Sequence, residues 1–107
     1  MVDLKTNAIA PIPHPADLCL ATIDGLYFHG ASLIAIQNAF MTPRVVRFDL
    51  SRDHRSIARF EVLERRNPLF EGVTTGVIAG DDFYYMANIQ DDRKTAFNPI
   101  RILKIHL

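Results

Sequence analysis

Apolar and polar positions alternate along most of this chain with a period near two. Arg44 to Leu50 places Val46, Phe48 and Leu50 on one face and Val45, Arg47 and Asp49 on the other. That pattern predicts a half-exposed strand. Ala58, Phe60 and Val62 alternate with Arg59, Glu61 and Leu63 in the same way. A helix competes over 57–66, because Glu- and Arg-rich segments form helices readily. The β-branched and aromatic content favours a strand. Leu33-Ile34-Ala35-Ile36 is apolar at every position, as in a strand covered on both faces.

Glycine turns separate these runs. Leu26-Tyr27-Phe28-His29 and the run from Leu33 flank Gly30-Ala31-Ser32, which predicts a hairpin. Thr74–Ala79 and Phe83–Ala87 flank Gly80-Asp81-Asp82, which predicts a second. Residues 38–43, 51–56, 67–72 and 88–99 are polar or proline-bearing connections, and 100–107 is a closing strand. Residues 1–20 form a leader with Pro11, Pro13 and Pro15 at alternate positions. Proline fixes φ and pushes its predecessor to extended geometry, so this leader reads as an extended linker with room for one short turn at 15–20. One β domain, 21–107, follows.

The two halves of that domain align. Gly30 to Asn38 lies over Gly80 to Asn88 at an offset of 50 residues. The strand 43–50 lies over 101–107 at an offset of 57, the longer second loop accounting for the difference. The units run over about 24–66 and 74–107. A repeat of roughly 40–50 residues with four short strands is the pattern of a propeller blade. The first unit supplies four strands and the second three, with the leader as a source for the missing one. The expected fold is therefore all-β and antiparallel, with about two four-stranded propeller-like units. A small closed barrel, resembling Sm-like or oligonucleotide-binding folds in outline, is the alternative that removes exposed edges.

The motifs carry a resemblance. Asp24-Gly25-Leu26, the Gly30 turn, Leu33-Ile34-Ala35-Ile36 and Arg44-Val45-Val46-Arg47-Phe48-Asp49 resemble the closing blades of six-bladed propellers. They are similar to the gluconolactonase or regucalcin-like (senescence-marker-protein) family, and more loosely to NHL-repeat proteins. Val62-Leu63-Glu64-Arg65, Thr74-Thr75-Gly76-Val77 and Gly80–Asn88 continue the likeness, which spans about residues 22–107. It implies a metal-dependent lactone hydrolase, in which one divalent cation polarises a lactone carbonyl and activates water. It also implies that Asp24, the Asp of an Asp-Gly pair opening a late blade, is a metal ligand. A hard oxygen donor suits Ca²⁺, Mg²⁺ or Mn²⁺, with Zn²⁺ also to be tested. The family's remaining ligands lie on blades this sequence does not contain. Asn38 and Asn88, at equivalent places in the two units, are further polar candidates. An Asp-Gly turn and strand-end asparagines account for the same residues without chemistry. Since the family needs about six blades, three copies closing a ring, and hence a homo-oligomer, is one expectation, and an inactive fragment is another.

Composition narrows the field. The 107 residues carry 12 basic and 12 acidic side chains, so charge gives no case for nucleic-acid binding. Arg52, Arg55, Arg59, Arg65 and Arg66 are interleaved with Asp53, Glu61 and Glu64, as on a solvated face. No apolar run approaches the roughly 20 residues of a membrane helix, and a cytoplasmic setting is the expectation. Cys19, the single cysteine, has no activating neighbour in sequence. His14, His29, His54 and His106 show no ligand spacing, and Ser32, Ser51 and Ser56 lack a nucleophile elbow. Tyr27, Phe28, Tyr84 and Tyr85 could stack bases, but cross-strand packing is the simpler role. Asp81-Asp82 with Asp91-Asp92 could hold a cation weakly. Against the hydrolase stands a second expectation, a non-enzymatic module binding through loops and sheet edges.

Overall fold

Among the described residues seven strands follow one another in chain order. They are β1 (Ile23–His29), β2 (Ser32–Gln37), β3 (Arg44–Leu50), β4 (Ile57–Arg65), β5 (Gly76–Ala79), β6 (Asp82–Met86) and β7 (Ile102–His106). The structure, a computed structural model, describes residues 1–38, 42–89 and 99–107. Among these there is no helix, and consecutive strands pair antiparallel except β4 and β5, which do not pair. The result is two meanders, β1-β2-β3-β4 and β5-β6-β7. Neither closes on itself, so the closed-barrel alternative is overturned. The helix over 57–66 is likewise displaced by β4.

The turns explain the two hairpins. Gly30 and Gly80 have φ of 57° and 62° and each opens a two-residue loop, between His29↔Ser32 and Ala79↔Asp82. Positive φ at the first loop residue only is the type II′ arrangement, which matches strand twist and selects glycine. Registers then agree residue for residue. Ser32↔Asp49, Ile34↔Arg47 and Ile36↔Val45 in the first sheet correspond to Asp82↔His106, Tyr84↔Lys104 and Met86↔Ile102 in the second.

The first sheet is covered on both sides. Its near face, with Ile34, Ile36 and Val45 fully buried, packs on Phe83 and Tyr85 of the second sheet and on Val73. Its far face, with Ala35, Val46 and Phe48, packs on Leu18, Ile12 and Leu20 of the leader. Val45 therefore departs from the half-exposed pattern expected of its strand. The leader also departs from a linker. It is extended, with a turn at 16–17 as the prolines dictate, but it lies over the sheet and accepts the Ile57 N–H on the Pro13 carbonyl at 2.8 Å. It adds no strand to the second sheet.

Three bulges shape the first sheet. Ile23 faces Gln37 and Gly25 faces Ile36, so Asp24 is an extra, exposed residue at the start of β1. In β4, Leu63 and Ala58 are extra against β3. Ala58, expected inside with Phe60 and Val62, is exposed as a result, and Ile57 takes the buried place. A bulged, charged edge strand resists pairing with another chain.

Candidate functional site

The three residues singled out by sequence take different roles. Asp24 sits exposed on its bulge, and Gly25 beside it is buried. A Cβ at Gly25 would lie 2.7 Å from the Tyr27 hydroxyl and 3.1 Å from the Thr74 carbonyl oxygen. The Asp-Gly pair thus marks the point where the second sheet's entry strand crosses β1, and the glycine is required by that close approach. Asn38 is half-buried at the same end of the β1–β2 pair, and its N–H donates to the Thr22 carbonyl at 3.0 Å.

Asn88 is a structural clamp. It is buried, its Nδ2 donates to the Pro99 carbonyl at 2.9 Å, and its Oδ1 accepts the Arg101 N–H at 2.7 Å. The side chain thereby joins the end of β6 to the backbone entering β7. A counterpart was not read from the sequence. Gln37, buried at the end of β2, donates from Nε2 to the Cys19 and Ala21 carbonyls at 2.9 and 2.8 Å. Its Oε1 accepts from Arg44 Nε at 2.8 Å, so it fixes the leader to the sheet. A polar residue closing an apolar strand at the place equivalent to Ala87 was the only available signal.

Asn88 Oδ1 already accepts a backbone N–H, and Asp24 is a single exposed carboxylate on its bulge. Among the described residues no three His, Cys, Asp or Glu side chains group as ligands. Asp91 and Asp92 lie outside the described residues.

Polar chemistry elsewhere serves the sheets. On the near face Asp49 accepts from Ser32 Oγ at 2.7 Å and from Arg59, while Arg47 pairs with Glu61. Arg47 Nε lies 3.5 Å from Asp49 Oδ1, an ion-pair contact without hydrogen-bond geometry. Burial pushes the Asp49 carboxyl up, but the Ser32 and Arg59 hydrogen bonds with the Arg59 and Arg47 charges outweigh it and hold it below the ordinary value. The second sheet carries an ionic cluster at the equivalent positions, with its acid on β6 instead of on the third strand of the unit. Asp82 takes Nδ1 of His106 at 3.0 Å and Nζ of Lys104 at 3.1 Å, and these partners lower its pKa.

Tyr27 links the sheets. Its ring lies 5.2 Å from that of Phe83, and its hydroxyl accepts the Gly76 N–H at 2.8 Å and meets Thr75 Oγ1 at 3.2 Å. His29 Nε2 lies 3.3 Å from Asp81 Oδ1, joining the two hairpin tips. Tyr27 packs against the core beside its cross-strand partner Ile34, as expected, and its ring and hydroxyl also reach across to the second sheet. Phe28 packs little and is 71% exposed.

Among the described residues, apolar surface is the prominent feature the molecule presents. A groove of about 300 Å³ on the far face is lined by Leu26, Phe28, Leu33, Phe48, Leu50 and Ile57, among others. On the outer face of the second sheet, Val77 and Ile102 are 60% and 61% exposed beside Tyr84 and Met86. The architecture defines a class, two open antiparallel meanders packed face to face. No family model, no curated protein and no solved structure matches the chain. No helix among the described residues is long and apolar enough to cross a membrane.

Proposed function

We propose that this chain is a non-catalytic interaction module that binds a polypeptide partner through its apolar sheet faces. The observation that carries the reading is the pairing of two exposed apolar fields, Leu26 and Phe28 on one sheet and Val77 and Ile102 on the other. Contiguous exposed apolar surface marks interaction sites more often than it marks chemistry. The clamps made by Gln37 and Asn88 support it, because they spend the buried polar groups on holding sheet ends. The gluconolactonase-like alternative would need Asp24 to bind Ca²⁺, Mg²⁺, Mn²⁺ or Zn²⁺ and a lactone to be turned over.

An apolar dye tests the reading. Bis-ANS should bind the folded chain and lose fluorescence in Phe28→Glu and again in Ile102→Glu. Unchanged dye binding in both variants would overturn the proposal. So would calorimetric binding of one of the four cations, or lactone hydrolysis, abolished by Asp24→Ala.

A further inference from the structure

The contact between the two sheets joins unlike faces. In the aligned registers the near-face residues Tyr27, Ile34, Ile36 and Val45 correspond to Val77, Tyr84, Met86 and Ile102. The far-face residues Phe28, Leu33, Val46 and Phe48 correspond to Ile78, Phe83, Leu103 and Ile105. Yet Phe83 and its neighbours Ile78, Leu103 and Ile105 are what cover the near face of the first sheet. Each sheet therefore presents one kind of face to the opposite kind on its neighbour. Such a contact is heterologous, and nothing in its geometry stops it after one step.

The outer face of the second sheet is patterned for the next step. Toward the hairpin tip it carries an ionic cluster, Asp82 with Lys104 and His106, where the near face carries Ser32, Arg47 and Asp49. Toward the other end it carries the apolar field of Val77, Tyr84, Met86 and Ile102. On the first sheet the apolar end of this division, Ile34, Ile36 and Val45, is buried and the ionic end half-buried; on the second, Val77 and Ile102 of the apolar end stand exposed.

We propose that the outer face of the second sheet is a self-association surface, occupied by the far face of the first sheet from a second copy of this chain. The proposal rests on the interaction-module reading and names its partner. The interface continues the one already present between the two sheets, with the same face types and the same placing of charge. The leader competes with it, because Leu18, Ile12 and Leu20 cover the middle of the far face and leave Leu26 and Phe28 open.

A complementation experiment by light scattering tests this. Phe28 and Ile102 are largely exposed, so glutamate at either leaves the core intact. Ile102→Glu blocks the outer face and Phe28→Glu blocks the far face. Each variant alone should run at the 12.1 kDa chain mass, and their mixture should form a 1:1 dimer of twice that mass. The unmodified chain should grow in mass with concentration, more so in Leu18→Ala, where the leader is loosened. A mixture that stays monomeric, or either single variant that still dimerises, would overturn head-to-tail pairing. A Leu18→Ala chain that remains monomeric at every concentration would overturn self-association itself. If bis-ANS then still reports Phe28 and Ile102, the module reading survives with a different occupant; if it does not, that reading falls as well.

Discussion

Removing the Tyr27 hydroxyl isolates what joins the two sheets. Tyr27→Phe keeps the ring against Phe83 and over Gly25. It deletes the acceptor of the Gly76 N–H at 2.8 Å and the contact to Thr75 Oγ1 at 3.2 Å. One such bond contributes about 1 kcal/mol net, and a stranded donor costs more when water cannot reach it. Gly76 is half-buried, so water recovers part of that loss, and the expected destabilisation is about 1–2 kcal/mol. In a domain of this size each kcal/mol moves Tm by about 4–8 °C. Urea unfolding followed by far-ultraviolet circular dichroism and tyrosine fluorescence measures it. Thr75→Ala should cost less, and the double variant should fall short of the sum by about 0.5 kcal/mol because the two hydroxyls share one contact. A loss below about 0.3 kcal/mol, or strict additivity, would refute the role assigned to Tyr27.

Two further outcomes follow from buried groups. Asn88→Ala strands the Arg101 N–H and the Pro99 carbonyl and should cost about 2–4 kcal/mol in urea unfolding. Asn88→Asp should be comparably destabilised, since a carboxylate oxygen replaces the donor to Pro99; recovery on adding Ca²⁺ or Mn²⁺ would instead mark a metal site. Burial and the Glu64 charge push the Tyr85 hydroxyl up to about 12. Its protonated form is favoured in the fold, so its stabilisation is complete below pH 10 and is lost between pH 10 and about 12. Tyr85→Phe should flatten the alkaline limb of a Tm-against-pH curve, and an unchanged limb would remove Tyr85 as its cause.

Much of the fold was legible because turn chemistry and period agreed. Gly30 and Gly80 announce the hairpins, and the alternation from Arg44 and from Ala58 marks β3 and β4. The illegible parts are those set by third-party contacts. β1 begins at Ile23, not Leu26, because the Asp24 bulge lets the strand continue past what reads as an Asp-Gly turn. Prolines predicted an extended leader, but extension alone does not say whether a segment is free or lies on a sheet. Tyr27 and Gln37 resemble any strand tyrosine and any strand-end glutamine until Gly76 and Cys19 come beside them. Asn88 was visible as a repeated position, and its backbone bonds, not its repetition, decide its role.

The shared core sets an order for folding during synthesis. Phe83 and Tyr85 lie in one buried cluster with Ile34, Ile36 and Val45, so the core of the second sheet is held in common with the first. The first sheet leaves the ribosome earlier, since chains emerge from the N-terminus. Until residue 83 arrives, its near face stands open while the leader already shields the other side. Translation speed across the β4–β5 connection therefore governs how long that apolar face is available to a passing chaperone or to another nascent chain.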